Sequence, residues 1–200
     1  MIEKLEDHTM IPAESLETIL ILAMKATPLT GALVQCGCWK GGSAALLRLV
    51  LGARPVWLFD SFEGMPEPQY EDGKRAQWKY NQRGEGWHAC TVDDVREAFT
   101  IAKIPFDDVS IVRGWFEDTI PSAEVGPIAF LHIDADWYDS TRIPLETFYE
   151  RMQPGGIVLI DDYESWAGCK RAVNEFRSQH DIEADLNVLN RVSVYWTVDA

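Results

Sequence analysis

Two segments of this chain are apolar almost without interruption, Pro127–Ile133 and Gly156–Ile160, and each stops on aspartate, at Asp134 and at Asp161-Asp162. Runs this short suit strands covered on both faces rather than buried helices. Strands covered on both faces belong to a parallel sheet flanked by helices. Ala32–Cys36, Pro55–Phe59 and Val109–Val112 read as further strands. Helical spacing runs between them. In Glu14–Thr27 the residues Leu16, Ile19, Leu20, Ala23 and Met24 share a face, and Ser43–Leu51, Thr91–Ala102, Ser140–Met152 and Lys170–Gln179 also read as helices. Thr91 is placed to cap its helix, with Asp93 and Asp94 in the first turn. Leu186–Leu189 and Val192–Thr197 flank Asn190-Arg191 as a terminal hairpin. The expected fold is α/β: a doubly wound, mostly parallel sheet with helices on both faces, in one domain over 1–200 with an N-terminal helix at 12–27. Ser61–Ala89 is polar, carries Gly, Pro and aromatics, and shows little periodicity. An irregular segment of this length reads as a lid-like insertion over about 62–89.

Charge narrows the partners. The chain has 18 Lys and Arg against 32 Asp and Glu, a formal net charge of −14. That sign repels nucleic-acid phosphates and anionic lipid alike, so neither nucleic acid nor a membrane is expected. No apolar run reaches the roughly 18 residues of a membrane span. Cys36, Cys38, Cys90 and Cys169 form no Cys-x-x-Cys pair, and Met1–Glu6 is unlike a signal peptide. The expected setting is a reducing cytoplasm.

Ligands of open α/β sheets bind beyond the carboxyl ends of the strands. Here those ends carry Gly37-Cys38-Trp39-Lys40-Gly41-Gly42-Ser43, then Asp60, then His132-Ile133-Asp134-Ala135-Asp136, then Asp161-Asp162. The glycine spacing is neither the pyrophosphate fingerprint nor a P-loop. It marks either a tight turn into a helix or a place where a ligand lies against backbone. Asp60 lies about twenty residues on, where nucleoside-binding folds place an acceptor for ribose hydroxyls; a helix cap is the alternative. Asp134, Asp161 and Asp162 follow apolar strands, and three clustered carboxylates call for a counter-ion. Three hard oxygen donors with open positions suit Mg²⁺. Asp136 and Asp139 also fit as caps of the next helix. His132 shares a strand face with Asp134 and reads as a core histidine, with support of a metal ligand as the alternative. His8 and His88 read as surface residues.

Five motifs now stand in order: Val34–Ser43, Leu58–Pro66, Gly114–Pro121, Leu131–Thr141 and Gly155–Tyr163. Together they resemble the macrocin O-methyltransferase family, S-adenosylmethionine-dependent enzymes that methylate sugar hydroxyls in macrolide and related biosynthesis. The likeness runs from Thr9-Met10 to Tyr195-Trp196. It implies a class I, Rossmann-like sheet of seven strands with the last antiparallel. It implies S-adenosylmethionine as cofactor, with S-adenosylhomocysteine as product. By the same likeness Gly37, Trp39, Gly41, Gly42 and Ser43 hold the methionine part, and Asp60 binds the ribose. Ser61 and Phe62 lie beside the adenosine, Trp115 and Phe116 border the adenine, and Asp134, Asp161 and Asp162 bind Mg²⁺. The chain departs from the family at Gln35, where an acidic residue usually anchors the loop or the cofactor amine. Related catechol-type enzymes place a lysine base where this chain has Trp137. The expected reaction is methyl transfer to a small-molecule acceptor, a sugar or other vicinal diol whose adjacent hydroxyls meet Mg²⁺, with Asp134 or Asp136 taking the proton. A metal-dependent phosphoesterase and a non-catalytic cofactor-binding protein are the competing readings. Proteins of this type often associate, so the resemblance also allows a homo-oligomer.

Overall fold

A computed structural model describes residues 1–199. Seven strands, β1 (Ala32–Cys36), β2 (Val56–Asp60), β3 (Val109–Arg113), β4 (Ile128–Ile133), β5 (Met152–Ile160), β6 (Asn187–Val188) and β7 (Val194–Thr197), form one sheet in the order β3-β2-β1-β4-β5-β7-β6. Pairing is parallel from β3 through β5. β7 runs antiparallel to β5, and β6 to β7. The winding reverses between β1 and β4, which makes the tips of those two strands the ligand-binding crevice.

The two faces are sorted by the alternation of side chains along each strand. Leu33, Leu58, Phe130 and Leu159 pack under α1 (Ala13–Ala23), α2 (Gly42–Leu51) and α4 (Val92–Ala102). Val34, Phe59, Leu131 and Ile160 face α6 (Tyr138–Phe148) and α7 (Ala167–Gln179), where Phe59 and Phe148 lie 5.3 Å apart. Every residue of β4 is buried, as its unbroken apolar run requires. Thr91 and Asp94 form a reciprocal cap on α4: the hydroxyl accepts the Asp94 N–H at 3.2 Å, and the carboxylate accepts the Thr91 N–H at 2.8 Å. No described helix is long and apolar enough to cross a membrane.

Differences from the sequence expectation are local. The helix expected to reach Met152 ends at Phe148; a 3₁₀ turn over Tyr149–Arg151 leads directly into β5. The polar insertion holds a 3₁₀ turn at Tyr70–Asp72 and an eleven-residue helix, α3 (Gly73–Arg83). Only Ala76 of α3 is buried, so no apolar period betrays it. A short helix, α5 (Phe116–Thr119), follows β3.

His132 lies in the core, but it is not satisfied there. It stands in register between Gln35 of β1 and Leu159 of β5, and neither ring nitrogen has a hydrogen-bond partner among the described residues. Burial pushes its pKa down to about 3. A histidine lowered from about 6.5 stabilises the fold above that pH and withdraws the stability as pH falls toward the folded value. At pH 5 the loss is about 2 kcal/mol. Between pH 8 and pH 5, wild type should therefore lose about 2 kcal/mol more stability than His132→Leu. Urea denaturation at both pH values measures this, and equal losses would show that the imidazole is not held neutral.

Candidate active site

The first half of the site is a loop folded against a neighbouring strand tip. Gly37 N donates to Phe59 O at 2.8 Å and so extends the β1–β2 ladder by one residue. Gly37 has φ +81°, and a Cβ there would lie 1.8 Å from the Asp134 carbonyl oxygen. Only glycine lets β1 and β4 close at this point. Gln35, fully buried beneath, donates through Nε2 to Gly37 O at 3.1 Å and to Ser43 Oγ at 2.9 Å. The amide thus anchors the loop as a donor; a carboxylate at this position could accept from the Ser43 hydroxyl but could make no bond to the Gly37 carbonyl. Asp60 anchors it from the other side. Its Oδ2 accepts the N–H groups of Cys38 (2.9 Å) and Trp39 (2.8 Å), and its Oδ1 accepts that of Phe62 (2.8 Å). Burial raises the Asp60 pKa, and the three backbone N–H groups pull it back.

Gly37, Trp39, Asp60, Ser61, Trp115 and Phe116 line one cleft. Four residues of the expected cofactor set do not line it. Phe62 is packed into the core on the α2 side. Gly41 and Gly42 have packing reasons to be glycine: a Cβ would meet Val95 Cγ1 at 2.8 Å in the first case and the His8 carbonyl at 2.5 Å in the second. Ser43 lines an adjoining cleft with Asp161 and Asp162.

The second half of the site is carboxylate. One oxygen from each of Asp134, Asp161 and Asp162 lies within 4.8 Å of the others. Oxygens this close could be drawn onto one hard divalent cation by side-chain adjustment alone. Backbone bonds hold the tips in line: Asp134 N donates to Cys36 O at 2.9 Å and Asp161 N to Ile133 O at 3.0 Å. Ser193 Oγ donates to Asp161 Oδ1 at 2.7 Å. Burial pushes the Asp134 pKa well up, and the charges of Asp161 and Asp136 push it further. Burial does the same for Asp162, reinforced by Asp136, Asp134 and Asp161. Asp161 is raised by burial, and Asp136 is pushed up to about 6 by burial. These groups cannot all be ionised without a cation. An all-oxygen donor set fits a hard divalent ion.

Both clefts are lined by Met10, Trp39, His88, Asp134 and Asp136, so they share a wall. His88 is therefore not the surface residue its sequence context suggests. Its ring lies 4.7 Å from that of Trp87 and edge-on to that of Trp39 at 6.4 Å. Burial lowers its pKa, and Arg83 and Lys79 lower it further. His8 packs behind α2, 3.6 Å from Glu97, away from the clefts. Among six non-glycine residues at positive φ, four are Trp39 (+44°), Phe62 (+61°), His88 (+69°) and Asp136 (+59°). All four belong to the site's loops, where strained backbone is held by its surroundings. Met10, Trp87 and Trp166 also line the cleft that holds Asp161 and Asp162. The sequence marks neither Met10 nor Trp166 as a cleft residue; Trp87 is one of the aromatics of the 62–87 stretch, which the sequence alone leaves between packing and lining a substrate cleft. Trp137 is buried and donates through Nε1 to Pro66 O at 2.9 Å, so the position of the catechol-type lysine is structural here.

The protein family described as macrocin-O-methyltransferase (TylF) matches residues 5–198. Demethyldecarbamoylnovobiocin O-methyltransferase from Streptomyces niveus is 36% identical over 197 residues, covering 94% of this chain and 75% of that protein. Mycinamicin III 3″-O-methyltransferase from Micromonospora griseorubida is 33% identical over 198 residues, covering 94% and 78%. The solved structure of the O-methyltransferase NovP superposes with a TM-score of 0.86 at 34% identity, covering 96% of this chain and 83% of that one.

Asp60→Asn tests the loop anchor. An amide can accept at only one atom, so either Phe62 N or the Cys38–Trp39 pair loses its partner. Hydrogen bonds to charged groups contribute about 1.5–3 kcal/mol. S-adenosylhomocysteine affinity should fall about tenfold or more in calorimetry, with a lowered thermal midpoint. Unchanged values for both would show that the loop stands without this carboxylate.

Proposed function

This chain belongs to the macrocin-O-methyltransferase family of S-adenosylmethionine-dependent O-methyltransferases, and from that premise we propose its acceptor and its metal. The acceptor is a vicinal diol on a sugar of a natural product or glycan, and Mg²⁺ is held by Asp134, Asp161 and Asp162. The observation that carries this reading is the convergence of those three carboxylates in a cleft that shares a wall with the cofactor-side cleft. Relatives at 33–36% identity are named for methylating natural products.

When bound, the cation lowers the pKa of an acceptor hydroxyl and fixes the neighbouring one. The chain supplies the rest. Gly37, Trp39 and the Asp60-anchored loop hold the methionine end of the cofactor, with Ser61, Trp115 and Phe116 along the nucleoside. Asp134 faces both clefts and receives the hydroxyl proton; Asp136, which also faces both and is pushed up to about 6, is the second proton acceptor. The deprotonated oxygen bonds to the sulfonium methyl as the C–S bond breaks, leaving neutral S-adenosylhomocysteine. Little covalent work falls to the protein, so alignment and electrostatics dominate. Trp39, Trp87 and Trp166 border the metal-side cleft, where their rings exclude water and offer apolar faces to a sugar ring.

Asp134→Asn separates the roles. It should abolish Mg²⁺ uptake and methyl transfer to a panel of vicinal-diol sugars, while S-adenosylhomocysteine affinity stays within about threefold. Parallel loss of cofactor binding would make the aspartate a cofactor ligand, and wild type that takes up no Mg²⁺ would end the metal reading.

The pH dependence follows from the raised carboxylates. Their folded pKa values lie above those of the unfolded chain, so their stabilising contribution is present at low pH and is lost as pH rises through the folded values, near 6 for Asp136. Mg²⁺ competes with those protons. The rise in thermal midpoint on adding Mg²⁺ should therefore be small at pH 5 and large at pH 8, and calorimetry in buffers of different ionisation enthalpy should detect proton release. A pH-independent increment would contradict the assignment.

A further inference from the structure

The insertion between β2 and α4 carries a buried carboxylate that the proposed chemistry does not use. Asp72 is 3% exposed. Its Oδ1 accepts the N–H of Tyr138 at 2.6 Å, and its Oδ2 accepts that of Gln69 at 2.8 Å. Tyr138 is the first residue of α6, so a side chain 66 positions away caps the helix that follows the Asp134–Trp137 loop. Gly168, in the first turn of α7, closes over this bond: a Cβ there would lie 2.1 Å from Asp72 Oδ1 and 2.9 Å from Tyr138 N.

The same stretch of insertion reaches both carboxylate-bearing loops. Trp137 Nε1 donates to Pro66 O at 2.9 Å, on the loop that carries Asp134 and Asp136. Arg75 Nη1 donates to Ser165 O at 3.0 Å, and its guanidinium lies 5.0 Å from the centre of the Trp166 ring. Ser165 N and Trp166 N in turn donate to Asp162 O at 3.0 and 3.1 Å. A chain of contacts thus runs from Arg75 to the backbone of Asp162, and another from Asp72 to the end of the Asp134 loop.

We propose that Asp72 and Arg75 are positioning residues that set the spacing of the two loops, making residues 66–75 a brace for the cation site. The proposal rests on the Mg²⁺ reading given above. Clustered carboxylates on two loops repel each other, and without a brace the loops would have to be drawn together each time a cation binds. Fixing them beforehand removes that reorganisation. The lid expected over 62–89 is, in this part, tied down at Pro66, Asp72 and Arg75.

Calorimetric titration of wild type, Asp72→Asn and Arg75→Met with MgCl₂, and separately with S-adenosylhomocysteine in the absence of Mg²⁺, tests the proposal. Arg75 is exposed, so its replacement leaves the core intact. Charge and brace predict opposite signs for Arg75→Met. Loss of a positive charge can only strengthen binding of a cation if charge alone acts, whereas loss of the brace weakens it. The expected result is Mg²⁺ affinity lowered about tenfold in both variants, the lower range for groups that orient metal ligands, with S-adenosylhomocysteine affinity unchanged. Arg75→Met that binds Mg²⁺ as tightly as wild type, or more tightly, overturns the brace. So does equal loss of both ligands, which would mean general damage. Wild type without Mg²⁺ uptake fails the metal reading itself and the brace with it; wild type that binds while Arg75→Met does so equally well fails the brace alone.

Discussion

Repulsion among carboxylates clustered at the carboxyl ends of β4 and β5 is the constraint to which the rest of this structure answers. Two unit charges 4 Å apart repel by about 4 kcal/mol at an effective dielectric constant of 20. Here Asp134, Asp161 and Asp162 crowd together and Asp136 adds to the field that raises two of them. The chain relieves part of this locally. Ser193 donates a hydrogen bond to Asp161, and the pKa of Asp136 rises until it holds a proton through mildly acidic conditions. The remainder is left for shared protons or a divalent cation. Such an arrangement persists only on a rigid support. Backbone bonds from Asp134 to Cys36 and from Asp161 to Ile133 provide it, since they lock adjacent strand tips in line.

What was legible in the sequence follows from how each element is stabilised. β4 and the Gly156–Ile160 half of β5 are readable because both faces are covered, so their apolar character is nearly continuous and the aspartates end it visibly; the exposed Pro154-Gly155 start of β5 carries no such signal. Helices with one buried face, such as α4 and its Thr91 cap, are readable by period and by capping residue. α3 is not: it buries one alanine, and its start is held by Asp72, just before it, and Arg75, in its first turn, through partners 66 and 90 residues away. No local pattern encodes such bonds.

The site residues divide in the same way. Asp60 and the aspartate trio sit at strand ends, where topology alone brings them together. His88 is a polar residue in a polar segment, and only the return of the insertion places it between Trp39 and Trp87. For Phe62 the likeness implied a place beside the adenosine, and the structure shows only that its ring packs with the core while its backbone is left-handed. Gln35 is visible as a departure from the family pattern, yet its role as donor depends on Gly37 O and Ser43 Oγ, which meet it only in the folded loop.

The winding of the sheet explains why one glycine matters so much. Strands β1 to β3 carry the cofactor loop and Asp60; β4 and β5 carry the carboxylates. In-line methyl transfer needs donor carbon and acceptor oxygen about 3–3.5 Å apart, and misplacement by about 1 Å can cost a factor of a hundred. The two halves of the site meet at the β1–β4 pair, where the Gly37 backbone packs against the Asp134 carbonyl. Any Cβ at position 37 would lie 1.8 Å from that oxygen and force the strand tips apart by more than an ångström. In the function proposed above, the missing side chain therefore sets the distance between the half assigned to the methyl donor and the half assigned to the hydroxyl. Gln35 and Asp60 then keep the loop from using the freedom that a glycine gives it.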